Sequence, residues 1–314
     1  MHIPNEMLQG AICPVTTAVS GVGISLATYF AIKSKERPSA LKFASVSAII
    51  FAFQMLNFPV QNGTSGHLLG SALAASLLGA PFGILAISMI LMIQSIIFSD
   101  GGITTLGANI INMGIIAVSV SYFLISMIKK LIKNSKIGEY VSIITASFIS
   151  VIAASFICSI ELGIGGGIEF VKVIPAMVGI HSIIALFEIV ITIALYYVLS
   201  YVFTDKQSLS KDSKYSSIIG RILPLIFLLF IAILLSPFAS SSPDGLEYIA
   251  LQLNFVKDGL PTFVTPFSDY SFSLVSIPYI STFISSIFGV VLTFISVFGL
   301  GMLVNGKCRM KNGE

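Results

Sequence analysis

Long apolar stretches without a single charge dominate the chain, and their lengths are those of membrane helices. Met7 to Ile32, Ile103 to Ile128, Tyr140 to Ile160 and Ile222 to Pro243 contain no charged residue. Each suffices for one helix across a hydrocarbon layer, which takes roughly 20 residues. Val173 to Thr204 is a fifth run, interrupted only by His181 and Glu188. Tyr270 to Gly306 exceeds one span; Pro278 and its neighbouring serines predict an interfacial start, then a helix from about Ser281 to Val304. Phe43 to Ser99 is harder to divide, being 57 residues without one Asp, Glu, Lys or Arg.

The placement of basic residues divides it. Lys33, Lys35, Arg37 and Lys42 follow the first run, and Lys129, Lys130, Lys133 and Lys136 follow the Ile103 run. Basic loops face the cytoplasm, so both clusters lie inside and an even number of crossings separates them. The Ile103 run is one crossing, so Phe43 to Ser99 crosses an odd number of times. A single crossing strands too much apolar chain. Three fit, with breaks at Phe58 to Gly66 and Gly79 to Pro81 and a short third span. The expected fold is an all-α polytopic membrane protein of about nine transmembrane helices, N-terminus outside and C-terminus inside. On this map 15 of the 17 Lys and Arg residues lie inside; Lys172 and Lys257 are the exceptions. No signal peptide is expected, because the first apolar run lacks a basic lead and is long enough to span.

The same map divides the chain into modules. Residues 1–204 form a seven-span module, 205–217 a cytoplasmic linker with Lys206, Lys211 and Lys214, and 218–314 a two-span module with an outer loop over 236–276.

Composition narrows the class further. The chain is 55% hydrophobic and 10% charged, against about 25% charged in a soluble domain. That excludes an ordinary cytosolic enzyme, a nucleic-acid binder and a disordered tail. Cys13, Cys158 and Cys308 are far apart with no CxxC spacing, and read as incidental thiols.

Few groups are left for polar chemistry, and two of the three histidines, His2 and His67, fall on the outer side of the map. The terminal amine and the His2 amide nitrogen close a five-membered chelate ring; the same amide and His2 Nδ1 close a six-membered one. The result is a flat tridentate clamp, and a fourth nitrogen from His67 completes a square plane. That geometry suits Ni(II), Cu(II) or strong-field Co(II) rather than Zn(II) or Mg(II). Spacing alone also allows a solvated terminal His2 and a loop His67. Because protons compete for ligand nitrogens, uptake is expected to fall as external pH drops through the imidazole range.

Four phrases in order carry a family resemblance over most of residues 1–200. Met1-His2-Ile3-Pro4 resembles the N-terminus of the cobalt/nickel substrate-binding subunits of energy-coupling factor transporters, the CbiM/NikM family. Gln54-Met-Leu-Asn57-Phe-Pro-Val-Gln-Asn-Gly63-Thr-Ser-Gly66-His67-Leu-Leu-Gly70 resembles its second signature, and Asp100-Gly-Gly102-Ile-Thr-Thr-Leu-Gly107-Ala-Asn109-Ile-Ile-Asn112 its third. Gly179-Ile-His181 through Glu188-Ile-Val-Ile-Thr192 resembles its last span. The chain departs from the family at Asn5-Glu6-Met7, where an Asp-Gly-aromatic phrase is usual. The segment from Ser236 to Glu247, with Pro243-Asp244-Gly245-Leu246-Glu247, resembles the CbiN/NikN accessory component, which has two spans and one outer loop.

The resemblance implies a fused substrate-capture subunit in which Met1, His2 and His67 hold Ni(II) or Co(II) as cargo, with no prosthetic group. It also implies a separate transmembrane coupling subunit and two cytoplasmic ATPases as partners, in a prokaryotic cell membrane, and an accessory loop that meets the metal-loading region. Asn109 and Asn112, three apart on one helix side, are candidates for contact with the metal site or for inter-helix glue. Asp100 is placed to attract cations or to cap the turn before Gly101. His181 and Glu188 share a helix face about 10.5 Å apart, too far for both to ligate one ion, and are expected to make structural or coupling contacts.

Three other readings are weaker. Gly63-Thr-Ser65-Gly66 matches the short GxSG phrase of rhomboid-like intramembrane serine proteases with His181 as base, but leaves His67 without a role and lacks the usual Trp-Arg loop. An ion-coupled secondary transporter wants inverted repeats that the chain does not display. Gly301 to Cys308 nearly matches a phosphate-binding loop, but follows a membrane helix and has Cys308 where Ser or Thr is required.

Overall fold

The computed structural model describes residues 1–61, 63–133, 135–203, 214–255 and 265–309. Most of the expected linker, with Lys206 and Lys211, and the loop residue Lys257 lie outside the described residues. The fold is nearly all helix. After a short 3-10 turn at Asn5–Met7 come α1 (Ile12–Lys33), α2 (Ala40–Gln54), α3 (Ser71–Ile97), α4 (Leu106–Asn109), a π-helical segment (Ile110–Ile116) and α5 (Ala117–Leu131). Then follow α6 (Lys136–Gly165), α7 (Phe170–Phe203), α8 (Lys214–Leu235), α9 (Gly245–Gln252) and α10 (Pro278–Arg309). The only strands among the described residues are β1 (Phe58–Pro59) and β2 (Ser65–Gly66), an antiparallel pair that closes a small hairpin between α2 and α3.

Six of these helices are long and apolar enough to cross a membrane, and Ala40–Gln54 and Leu225–Phe238 are shorter apolar helices. Backbone hydrogen bonds satisfied within the segment are what hydrocarbon demands, and helices supply them. The surface agrees with that environment. Val15, Val19, Val22 and Leu26 on α1, Phe187 and Val190 on α7, and Phe227 and Phe230 on α8 all stand exposed. The interior, conversely, carries many small polar side chains. Ser142, Ser147, Ser150, Ser155 and Ser159 line the buried face of α6, where small residues let helices approach closely. Gly107 is a sharp case, since a Cβ there would stand 2.4 Å from the Thr17 backbone nitrogen of α1.

The charge-free stretch Phe43 to Ser99 is interrupted at both expected breaks, with only a short helix between them. The hairpin occupies the first expected break. At the second, Gly79 adopts φ 77 and ψ 168, which splits α3 into two limbs. The limbs double back on each other: a Cβ on Gly83 would lie 3.3 Å from the Ala74 carbonyl carbon. The reversal lines a cavity with Arg37, Lys42 and Lys129, so it sits at the end of the bundle that holds the basic clusters. The first limb has only eight helical residues, Ser71–Leu78, about 12 Å of rise against roughly 30 Å of hydrocarbon. Non-helical chain from Gly66 to Gly70 covers part of the remaining depth. Such backbone is tolerated where protein supplies its hydrogen bonds. Here Gln54 Nε2 donates to Leu69 O at 2.8 Å, and Glu188 accepts from Leu69 N at 2.6 Å and Gly70 N at 3.0 Å.

The last helices pack on the first ones. α10 lies along α2, and α8 and α9 lie against α7. Gly301 to Cys308, the near match to a phosphate-binding loop, lies within α10 and is helical. No loop exists there to cradle a phosphate.

Candidate metal site

The N-terminal strand is threaded into the bundle and fixed by its third residue. Ile3 N donates to Asn109 Oδ1 at 2.8 Å, while Asn109 Nδ2, Gly102 N and Thr105 Oγ1 donate to Ile3 O at 3.2, 2.9 and 2.5 Å. One side-chain amide thus reads both polar groups of Ile3, and all donors come from the α3–α4 connection and its following turn. Gly101 faces the chain here with φ 78, and a Cβ on it would stand 3.2 Å from His2 Cβ. The departure at Asn5 is accommodated, because Asn5 Oδ1 accepts from Thr104 N at 2.9 Å and Thr104 Oγ1 at 2.8 Å.

This anchoring carries Met1 and His2 onto His67, and all three are at most 9% exposed. The Met1 amine lies 2.9 Å from His67 Nε2, and the rings of His2 and His67 are 5.1 Å apart between centroids. His67 Nδ1 donates to Leu68 O at 3.0 Å, which leaves Nε2 bare toward the amine. A backbone carbonyl holding the far nitrogen of a ligating imidazole is the usual second contact of a metal-binding histidine. His2 Nδ1 is buried without a hydrogen-bond partner among the described residues, although Asp100 Oδ1 stands 3.6 Å away. A buried imidazole nitrogen left unpaired is costly in a protein interior. Here it is the atom that a chelating His2 would use.

Burial changes the state in which the imidazoles meet a cation. Burial pushes both His2 and His67 down to about 3, and the positive Met1 amine adds to the effect. The rings are therefore neutral across pH 5–8 and already free of protons that a cation must displace. In the metal-free protein, the imidazole C–H resonances of His2 and His67 should stay fixed between pH 8 and 5. Movement with a midpoint near the ordinary imidazole value of about 6.5 would show solvated rings instead.

Two further residues reach the cluster from the end of the chain; Asp244 belongs to the Pro243–Glu247 phrase, but neither it nor Tyr270 is among the residues expected to hold the metal. Asp244 Oδ2 pairs with the Met1 amine and lies 4.0 Å from His67 Nε2. Its other oxygen caps α9, accepting from Leu246 N at 2.8 Å and Glu247 N at 2.9 Å, while Glu247 Oε2 accepts from Asp244 N at 3.0 Å. The phrase Asp-Gly-Leu-Glu is thus a capping box, and it aims a carboxylate at the amine. Burial would raise the Asp244 carboxyl, but the Met1 ammonium, His67 and the hydrogen bonds from the amine and Glu247 N together outweigh it and hold the group well below the usual carboxylate range. Tyr270 Oη donates to Asp100 Oδ2 at 2.5 Å, and its ring stacks on Phe98 at 4.8 Å. Desolvation raises the Asp100 carboxyl, against that hydrogen bond. A backbone seam completes the contact: Ser65 N donates to Pro243 O and Ser240 N to Asn57 O, each at 2.8 Å, and Asp269 N donates to Phe98 O at 2.8 Å.

The remaining expected residues divide. Asn109 serves the Ile3 peptide, as described. Asn112, inside the π-helical segment, donates to Glu161 Oε2 at 2.6 Å on α6 and is an inter-helix link. Glu188 holds the two amides that follow His67 by two and three residues. Glu188→Ala should orphan both, which costs about 2 kcal/mol or more. The expected result is a lowered melting temperature together with weaker metal binding, with Glu188→Gln intermediate because one amide oxygen remains. A Glu188→Ala protein with unchanged metal affinity would separate this carboxylate from the position of His67.

The geometry also removes the protease reading. Ser65 is buried, and its Oγ donates to Ser242 O at 2.8 Å; His181 Nδ1 is bound to Met177 O at 2.8 Å. No Ser–His hydrogen bond joins them among the described residues.

Comparison with known proteins gives matches in two successive parts of the chain. The family described as "CbiM: Cobalt uptake substrate-specific transmembrane region" matches residues 2–205, and the PDGLE domain matches residues 221–306. The "Putative fused nickel transport protein NikMN" of Archaeoglobus fulgidus is 30% identical over 310 residues, covering 96% of this chain and 98% of that protein. The "Cobalt transport protein CbiM" of Lachnoclostridium phytofermentans is 29% identical over 206 residues, 62% of this chain and 80% of its own length. A crystal structure of a truncated transition metal transporter superposes with a TM-score of 0.57 at 30% identity, covering 64% of this chain and 99% of that one. The chain therefore belongs to the CbiM family of cobalt uptake substrate-specific transmembrane proteins and carries a PDGLE domain after the CbiM region.

Proposed function

We propose that this protein is the substrate-binding membrane subunit of an energy-coupling factor importer for Ni(II) or Co(II). The observation that carries the reading is the meeting of the Met1 amine and His67 Nε2 at 2.9 Å in a buried place, with the His2 ring 5.1 Å from that of His67 and its Nδ1 unpartnered among the described residues. With the His2 amide, these atoms offer four nitrogens to one ion. A planar set of that kind suits a d8 or low-spin d7 ion and disfavours Zn(II). The relatives named for nickel and for cobalt transport support the same cargo.

The ion is captured at the outer face. The distribution of 15 of 17 basic residues supports that orientation, with the N-terminus outside and the C-terminus inside. Residues 1–204 form the capture module, 205–217 a cytoplasmic linker and 218–314 the accessory module, in a prokaryotic cell membrane. Energy comes from other chains, a transmembrane coupling subunit and two cytoplasmic ATPases, as the resemblance to substrate-binding subunits of energy-coupling factor transporters implies. The metal is cargo, and the chain carries out no bond-making chemistry of its own.

Metal analysis of the purified protein tests this. One Ni(II) or Co(II) per chain should be retained through gel filtration, and each should displace the other while a tenfold excess of Mg(II) displaces neither. A protein that retains Zn(II) in preference to both would overturn the planar reading.

A further inference from the structure

His181 is the one histidine that the four-nitrogen site does not use, yet it opens on a small cavity shared with Met1 and His67. Asp244 also lines that cavity, with apolar neighbours such as Leu69, Val151 and Ile184. His181 stands on α7 and is buried. Its Nδ1 donates to Met177 O, one turn back, at 2.8 Å. The tautomer is thereby fixed, and Nε2 keeps a bare lone pair. That nitrogen has no hydrogen-bond partner among the described residues. His67 is arranged in the same way, with Nδ1 on the Leu68 carbonyl and Nε2 facing the amine. Two buried imidazoles, each steadied through Nδ1 by a backbone carbonyl, thus border one small cavity beside the Met1 amine. This is how proteins prepare histidines for a metal.

The neighbour on the other side keeps that edge of the ring open. A Cβ on Gly245 would lie 3.1 Å from His181 Cε1 and 3.3 Å from Nε2. Glycine at the start of α9 lets the accessory segment close over the cavity without pressing on the ring. Glu188, seven residues further along α7, is occupied with Leu69 and Gly70 and leaves the cavity to His181.

We propose that His181 Nε2 is a fifth nitrogen donor to the transported ion, off the plane of the other four, and that it favours Co(II) over Ni(II). The inference rests on the planar site proposed above. The preference follows from electron count. Low-spin Ni(II) in a nitrogen plane is d8 and gains little from an axial ligand, because the orbital along that axis is filled. Low-spin Co(II) is d7, with one electron in that orbital, and binds an axial nitrogen. A ligand off the plane therefore separates two ions that the plane alone treats alike.

The experiment is electron paramagnetic resonance of the full-length protein loaded anaerobically with one equivalent of Co(II), alongside calorimetric titrations with Co(II) and Ni(II). Wild type should give a low-spin Co(II) spectrum whose cobalt lines are each split into three by a single axial 14N nucleus. Labelling histidine with 15N should turn that triplet into a doublet. His181→Ala should lose the splitting and about tenfold in Co(II) affinity, with Ni(II) affinity changed less than about twofold. A low-spin wild-type spectrum without axial nitrogen splitting overturns the fifth donor while leaving the plane intact. So does a splitting that survives in His181→Ala. A high-spin spectrum overturns the plane and the fifth donor together. If His181→Ala does not fold, His181→Gln serves in its place, and a wild-type spectrum without axial nitrogen splitting overturns the fifth donor by itself.

Discussion

Adding one residue ahead of Met1 should abolish Ni(II) and Co(II) binding although every side chain of the site remains. The amine that stands 2.9 Å from His67 Nε2 would become a peptide nitrogen, and the new free amine would lie about 3.5 Å further along the chain. The five-membered ring with the His2 amide could no longer close. Acetylation or formylation should act alike, because acylation removes the donor lone pair. A titration should then show a loss of at least about a hundredfold, since the clamp loses its first donor and the chelate ring with it. The modification also removes the partner of Asp244, and an uncompensated buried charge costs about 3–5 kcal/mol. A control separates the two effects. The extended protein that also carries Asp244→Asn should regain its melting temperature and still not bind metal. Equal affinity in native and extended proteins would refute the chelate, whereas recovered binding in the double variant would trace the loss to misfolding.

How much of this was legible in the sequence depends on the kind of signal. The helical membrane class follows from charge-free runs, which hydrocarbon makes obligatory. The interruptions at Phe58 to Gly66 and at Gly79 were readable because glycine and proline punctuate an otherwise uniform apolar stretch. The length of the limb between them was not. Whether Gly66 to Gly70 is helix or extended chain turns on Glu188 and Gln54, which reach it from α7 and α2 and carry no local mark. The π-helical segment at Ile110–Ile116 was equally hidden, since its pattern of apolar residues does not differ from that of an α-helix.

At the site, Met1 and His2 stood out because chelation requires nitrogens at fixed bond separations, and short range in sequence is the signal; His67 stood out through its place on the outer side of the map and the family phrase around it. Asp244 and Tyr270 did not. They lie more than 240 and about 170 residues from the groups they touch, and only the packing of the last helices on the first brings them there. A clue to Asp244 was present in Pro243-Asp-Gly-Leu-Glu247. Its spacing is that of a helix start, and a capping carboxylate has a second oxygen free for another partner. The neutral state of the imidazoles was invisible as well. It depends on burial beside a cation, whereas the sequence displays a polar, glycine-rich loop that reads as solvated.

The second large effect is expected from His67→Ala, and the way it differs from the extension identifies what each ligand does. The mutation removes one donor of the plane and leaves the three-nitrogen clamp of Met1 and His2 whole. Affinity for Ni(II) and Co(II) should fall by at least about tenfold, by comparison with outer contacts of metal sites whose loss alone costs 10–100-fold. Binding should not vanish. A water molecule can take the vacated corner of the plane, and the weaker field should shift the Ni(II) absorption to longer wavelength. Stability should change modestly. His67 gives up two hydrogen bonds, from Nδ1 to Leu68 O and from the Met1 amine to Nε2, about 1 kcal/mol each, while Asp244 still pairs with the amine and Glu188 continues to hold Leu69 and Gly70. A melting curve close to that of wild type would show that the weakened binding comes from the missing nitrogen and not from a displaced loop. Unchanged affinity would remove His67 from the ligand set and reduce the site to its N-terminal clamp. Loss as complete as in the extended protein would mean that the clamp cannot hold an ion without its fourth corner.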